Sequence, residues 1–324
     1  MALNSNEQTL QVISRLPQAF DKAVESGQLI FFPSTVILHV ELAIEFHLRL
    51  CPALQKKPTS GDHGHNISGK KKGDHDPFAP PYETQLYIGE LEEDEEKYVV
   101  LLNKFSVVPR HFLLVSKEYR SQTSPLSPSD LLQSYWLLLA AKQIDQSLIA
   151  FYNCGDASGA SQLHKHIQFI PIEGDLPIEK LAKLVDIGKP SEPFSITQLP
   201  YANGIIRLPS NLGVSTKEEI KLDLLDSFLK LLDFAIMTTR HNPTQQPGPP
   251  SYNVILTLEH MYLIPRSNET YTLTTGNVIS VNSLGFGGMM LAKSEEELEA
   301  IKSEGVLEIL KAVGMNQSEE IDEI

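Results

Sequence analysis

The stretch "GASQLHKHIQFIPI", residues 159 to 172, sets His164, His166 and Gln168 at every second position of an apolar run. In a β-strand alternate side chains point to opposite faces, so these three polar groups share one face while Leu163, Ile167 and Phe169 take other positions along the ribbon. At about 3.3 Å of rise per residue the row is roughly 13 Å long, comparable with a polyphosphate and longer than a single metal ion needs. Just upstream, "NCGDASGAS" carries Gly155 and Gly159 among small residues, the composition of a loop whose backbone N–H groups can converge on an anion. Three chemistries compete for the row. A solvated strand face is one, although lysine or threonine would serve it equally. A metal site is the second, but zinc wants further His, Cys or carboxylate ligands, Gln168 is a poor one, and Asp156 or Glu173 would have to fold back. In the third, a neutral imidazole attacks phosphorus while the Gln168 amide and the loop N–H groups stabilise charge developing on the phosphoryl oxygens. The third is preferred.

Several elements must position this row. The runs "QLYIGEL", "KYVVLLNKF", "HFLLVS" and "LIAFYNC" are short, β-rich and separated by turns or charges, which predicts a mostly antiparallel sheet leading into the histidine strand. Ser127 as N-cap, Pro128 in the first turn and Asp130 behind it introduce a helix over "LLQSYWLLLAAKQIDQSL" that should cover one sheet face. A second half repeats the style. Ser215 and Glu218 read as a capping box before "IKLDLLDSFLKLLDFAIM", and strands "YNVILTL" and "MYLIP" follow. "NSLGFGGMMLAK" then brings Gly285, Gly287 and Gly288, a turn close to a ligand or a packing turn, before Ser294 and Glu297 cap another helix. The expectation is an α+β fold with flanking helices and two related halves, about 1–200 and 201–315, in one unit spanning 1–324. Residues 56–76, rich in Lys, Gly, His and Asp, read as a mobile loop whose His63, His65 and His75 are solvated rather than metal-binding.

Composition narrows the function. A net charge of −14 disfavours long nucleic acids, whose binding rests on neutralising many phosphates with Lys and Arg. A small anionic ligand needs only a few local cations. No run approaches the length of a membrane span and the first residues lack a signal-peptide pattern, so no membrane association is expected and the cytoplasm is the expected compartment, with the nucleus as a second. Cys51 and Cys154 are too few for a disulfide framework and are expected as thiols.

The blocks "LCPALQKKP", "DPFAPP", "LLNKFSVVPRHFLLV", "LSPSDL", "FYNCGDASGASQLHKHIQ", "SYNVILT", "IPRS" and "NSLGFGGMMLAK" occur in this order along nearly the whole chain. Together they resemble the fungal diadenosine tetraphosphate (Ap4A) phosphorylases, or ATP adenylyltransferases, of the galactose-1-phosphate uridylyltransferase branch of the histidine triad superfamily. The resemblance implies a histidine triad-like fold with His166 as the nucleophile that carries AMP, His164 as its structural neighbour and Gln168 on the phosphoryl group. It further implies nucleotide and phosphate contacts at Lys57, Asn103, Lys104, Asn153, Ser158, Gly159, Ala160, Ser161, Asn282, Ser283, Leu284, Met289 and Lys293. Ala160 and Leu284 stand where relatives are expected to carry small hydroxyl residues, so their contacts are expected through backbone. Each also has an ordinary reading: Lys57 and Lys104 as solvated lysines, Asn103 and Asn153 as turn caps, Met289 as core, Lys293 as a residue before a helix.

The mechanism expected is a double displacement in which His166 takes AMP from Ap4A, releasing ATP, and inorganic phosphate then takes it as ADP. The attacking imidazole must be neutral, which calls for a partner on its other nitrogen, most simply a backbone carbonyl. A neutral amide at Gln168 gives water no acid or base, favouring transfer to phosphate. Partners are thus a dinucleoside polyphosphate, ATP, ADP and phosphate, with a divalent cation such as Mg bound with substrate, no structural metal, and a monomeric protein. A hexose-1-phosphate nucleotidyltransferase and a non-catalytic dinucleotide sensor are the alternatives.

Overall fold

A computed structural model describes residues 5–56, 76–189, 191–242 and 248–317. In chain order it contains helix α1 (Ser5–Glu25), strands β1 (Ile30–Phe31), β2 (Thr35–Glu41), β3 (Ile44–Leu50), β4 (Tyr87–Glu93), β5 (Glu96–Leu102), β6 (Phe105–Ser106) and β7 (Phe112–Ser116), then helix α2 (Pro128–Lys142). There follow β8 (Leu148–Cys154), β9 (His166–Pro171), α3 (Pro177–Leu184), β10 (Gly204–Arg207), α4 (Lys217–His241), β11 (Ser251–Leu256), β12 (His260–Arg266), β13 (Thr270–Thr272) and β14 (Val278–Ser280). The short helix α5 (Ser283–Phe286), β15 (Met289–Ala292), α6 (Glu295–Glu304) and α7 (Val306–Val313) complete it. Lys57 and residues 57–75 of the proposed loop, with their histidines, lie outside the described residues.

Eight strands make one sheet in the order β10-β12-β11-β8-β9-β7-β5-β4, and every pairing in it is antiparallel. The second half joins the first through β11 and β8, so the sheet passes from one half to the other without a break. The α+β expectation holds. The central strand β8 is buried at all seven positions, which is why "LIAFYNC" reads as a continuous apolar run instead of an alternating one. Its Ala150, Tyr152 and Cys154 enter a core with α1, α2 and α4, while Ile149 and Phe151 enter a second core with Phe46, Leu48, Phe286 and Leu307. A third cluster, Val99, Leu101, Leu113 and Val115 with Phe78 and Tyr82 against it, occupies the far end of that second face.

Helix α2 covers the sheet as expected and is itself covered by α1 and α4, so its run of leucines and alanines is buried almost all round. Its start is as read: the Ser127 hydroxyl accepts from the Asp130 amide and the Asp130 carboxylate accepts from the Ser127 amide. The second capping box falls one residue later than the sequence suggested. Thr216 and Glu219 cap α4, because Ser215 closes the preceding turn, its amide on Leu212 and its hydroxyl on Asn211. At α6 Ser294 caps as predicted, and the Glu297 carboxylate accepts from the Lys293 amide.

Candidate active site

The regular strand β9 begins at His166 itself. His164, two residues earlier, makes only an isolated bridge with Ser121, so the row read as one strand is a strand end plus a kinked approach. Gln122 fills the gap between β8 and β9 at that point: its amide nitrogen donates to the carbonyls of Asn153 (2.8 Å) and His166 (3.3 Å), and its oxygen accepts from the His166 amide (2.8 Å). A buried side chain thus substitutes for ladder hydrogen bonds where the pairing of β8 and β9 ends, which satisfies the backbone there.

The His166 ring is 3% exposed, and its Nδ1 lies 2.8 Å from the His164 carbonyl. A carbonyl only accepts, so Nδ1 carries the proton and Nε2 keeps its lone pair. Burial, opposed in part by that carbonyl, pushes the His166 pKa down to about 4. The backbone partner and the neutral imidazole expected from sequence are both in place. His164 presents no free nitrogen: Nδ1 is 2.9 Å from Asp76 Oδ2 and Nε2 2.7 Å from the Ser116 carbonyl. It therefore holds its own carbonyl against His166 Nδ1 and has no ring nitrogen left to offer a ligand. Phe78 packs over both rings, with centroid distances of 6.1 Å to His164 and 5.1 Å to His166.

Lys165, between the two histidines, points to the opposite face. Its ammonium is buried 2.5 Å from Asp130 and 2.7 Å from the Pro125 carbonyl. The carboxylate that caps α2 therefore also pins the register of the histidine segment, with Tyr98 donating to its other oxygen. Breaking such a pair would strand a buried charge, so the ion pair fixes geometry more than it adds stability.

Gln168 is held from behind. The Asn103 amide lies 3.0 Å from His111 Nδ1, and His111 Nε2 lies 3.1 Å from Gln168 Oε1. An amide NH2 donates only, so His111 accepts at Nδ1, donates from Nε2 to the Gln168 oxygen, and leaves the Gln168 NH2 turned toward the site. Burial pushes His111 down to about 4 as well, keeping it neutral and its tautomer fixed.

The small-residue loop forms a tight turn, Asp156–Ser158, between Gly155 (φ 90°) and Gly159 (φ 77°). Both glycines are required: a Cβ on Gly159 would stand 2.6 Å from the Val281 carbonyl, and one on Gly155 would stand 2.9 Å from Ser251 Cα. The loop thereby lies directly on the segment leading into α5. There Asn153 Oδ1 accepts from the Ser283 amide (3.0 Å) and hydroxyl (2.6 Å), while Asn282 caps α5 through the Leu284 amide. Asn153 Nδ2 is buried without a hydrogen-bond partner. Such a donor calls for an acceptor the protein does not supply.

The sequence-derived residues divide accordingly. His164 with His166, Asn103 with Gln168 through His111, and Asn153 with Ser283 directly and with Ser158 through Asn253 form three hydrogen-bonded groups, with Gly159 and Asn282 in contact beside the last; Asn103 and Ser158 are spent inside theirs, the Ser158 hydroxyl donating to the Gly155 carbonyl at 2.6 Å. Ala160 and Ser161 continue the loop toward the histidines. The Leu284 amide is taken by Asn282. Lys104 is ion-paired with Glu83 at the surface, 2.6 Å. Met289 opens β15 beside His47 of β3, and Lys293 follows that strand. Asp76, Phe78, His111, Gln122, Asn253 and Arg266 were missed by sequence reasoning. Only Asp76 and Phe78 in "DPFAPP" and His111 in "VVPRHF" carried a signal, a polar or aromatic residue beside prolines ahead of an apolar run. Cys154 is no rival nucleophile, since burial raises its thiol to about 11.

Comparison with known proteins identifies the family. Residues 3–184 match the model of the Ap4A phosphorylase N-terminal domain, and residues 197–316 that of the ATP adenylyltransferase C-terminal domain. The chain is 33% identical over 268 residues, 79% of its length and 78% of the relative's, to diadenosine 5',5'''-P1,P4-tetraphosphate phosphorylase 2 of Saccharomyces cerevisiae. It is 29% identical over 320 residues to the Protein APA1 of that yeast, 94% of either chain. The crystal structure of yeast Ap4A phosphorylase Apa2 superposes with a TM-score of 0.80 at 27% identity, covering 95% of this chain and 98% of that one. The same enzyme in complex with Ap4A gives 0.77 at 27% identity, covering 94% and 97%. By its fold, its histidine site and these matches, the chain belongs to the Ap4A phosphorylase family.

Proposed function

We propose that the protein splits diadenosine tetraphosphate with inorganic phosphate, giving ATP and ADP, through an adenylyl group carried on His166. Nε2 of the neutral imidazole attacks the phosphorus next to one adenosine, the P–O bond to the triphosphate breaks, and ATP leaves. An oxygen of inorganic phosphate then attacks the same phosphorus, the P–N bond breaks, ADP leaves, and the imidazole returns to neutral; both steps reverse. The observation that carries this reading is the fixed tautomer of His166, whose Nδ1 is committed to the His164 carbonyl while the unpartnered Asn153 amide stands on the neighbouring strand. The Gln168 NH2 and Asn153 NH2 donate to phosphoryl oxygens as charge develops there. The polyphosphate lies along the Ser158–Ser161 loop and the Asn282–Leu284 turn, with Lys57, Lys104, Met289 and Lys293 farther along the nucleotide.

A divalent cation travels with the substrate. Its charge offsets that of the polyphosphate, on which it is carried. Incubation with Ap4A and labelled phosphate tests the reading: label is expected in the β-position of ADP and absent from ATP, and label-free ADP or an AMP product would overturn it.

A further inference from the structure

Arg266 is fully buried, yet every group bonded to it is a neutral carbonyl. Its Nε donates to Val313 (3.1 Å), Nη2 to Asn268 (2.7 Å) and Glu269 (3.5 Å), and Nη1 to Val281 (2.8 Å), Ser158 (3.3 Å) and the side-chain oxygen of Asn253 (2.5 Å). No carboxylate bonds it among the described residues, and the Phe286 ring lies 4.9 Å from the guanidinium carbon. Burial lowers its pKa to about 9, which still leaves it charged at neutral pH. The nearby Glu269 carboxylate offsets that burial only in part; a buried charge with no carboxylate bonded to it is costly, and its position gives a reason for that cost. Asn253, on β11, faces Asn153 across the β11–β8 pair, and Asn253 Nδ2 donates to Asn153 Oδ1 at 2.8 Å.

The orientation of both amides is fixed by groups that can only donate. The guanidinium forces the Asn253 oxygen toward itself, and the Ser283 backbone N–H forces the Asn153 oxygen toward α5. Arg266, Asn253 and Asn153 are thus aligned head to tail, each donor feeding the next acceptor, and the row ends on the buried, unpartnered Asn153 Nδ2. The β8–β9 ladder ends where Phe151 pairs with Gln168, and Asn153 and His166 lie two residues beyond it on the two facing segments, their carbonyls bridged by the Gln122 amide. We infer that Arg266 and Asn253 are positioning residues that relay the guanidinium charge through two oriented amides to the phosphoryl group transferred to His166. The Arg266 contacts to Ser158 and Val281 also clamp the loop onto the α5 segment, so one side chain sets both the shape and the polarity of the anion site.

This inference rests on adenylyl transfer as the reaction, and the experiment separates the two. Asn253→Asp is nearly isosteric: its carboxylate neutralises Arg266 and sets an oxygen against Asn153 Oδ1, turning the relay off without emptying the site. In rapid-quench assays without phosphate, its rate of ATP release from Ap4A is expected to fall about 100-fold, with Ap4A affinity by calorimetry within about threefold of the unsubstituted protein, because the relay acts on charge that develops in the transition state. Arg266→Lys, which keeps the charge and can reach Asn253, is expected to retain far more of that rate than Arg266→Gln; this pair decides the matter if Asn253→Asp does not fold. An unchanged rate in Asn253→Asp, or affinity lost in step with rate, would overturn the relay and leave only a scaffold. Absence of ATP release from the unsubstituted protein would overturn the adenylyl-transfer reading itself.

Discussion

At the scale of single residues, the site runs on fixed proton positions. The folded pKa of His166 stands near 4, well below its ordinary 6.5, so its nucleophilic form is present throughout the neutral and mildly acid range. The rate of adenylylation from Ap4A is therefore expected to stay level from pH 8 to about pH 5 and to fall only below that, and an acid limb centred on 6.5 would contradict the assignment. On the proposed mechanism Gln168 governs the second step, because its amide, turned by His111, can donate fixed hydrogen bonds and cannot shuttle a proton to water. In Gln168→His, AMP is expected to rise relative to ADP at saturating phosphate while the ADP rate falls; an unchanged AMP-to-ADP ratio would remove this role from Gln168. These two residues were legible from the sequence because strand alternation and an i, i−2 carbonyl are local. Asp76, His111 and Arg266 were not, since they reach the row only through pairings of β7, β9, β11 and β12 and through a segment that folds over the sheet, none of which periodicity specifies.

At the scale of elements, the anion loop is a rigid device more than a flexible one. Gly159 has a positive φ and the Val281 carbonyl where a methyl would go, so Gly159→Ala must push the loop away from α5. A displacement on the order of 1 Å at a reacting centre costs about 100-fold in rate, and kcat/KM for Ap4A is expected to fall by that order. Retention of most activity would show that the loop does not cradle substrate. The strands and the α2 cap were readable from β-rich runs and a Ser-Pro-x-Asp start. The cap of α4 was misread by one residue because two adjacent hydroxyls, Ser215 and Thr216, each have an acidic residue three positions on, and only the preceding turn decides between them.

At the scale of the whole molecule, the halves share one sheet, and the site straddles their junction: Asn153 comes from the first half, Asn253 and Arg266 from the second. The same burial that tunes the site makes the fold acid-sensitive. His111 and His166 both drop from 6.5 to about 4 on folding, so each contributes stability that is full above 6.5 and is lost as pH falls toward 4, when the unfolded chain takes protons the folded one refuses. The slope is on the order of 1.4 kcal/mol per pH unit for each histidine, and His111→Gln is expected to remove about half of it between pH 6 and 4.5 in denaturant titrations; an unaltered slope would mean that His111 is not buried neutral. The central claim, a covalent adenylyl group on His166, is met most directly by mass spectrometry of the protein quenched with Ap4A in the absence of phosphate. The account predicts a gain of one adenylyl group that is acid-labile, maps to His166, is discharged as ADP when phosphate is added, and is missing in His166→Ala. An unmodified protein that still turns over Ap4A, or an adduct that persists in His166→Ala, would contradict it.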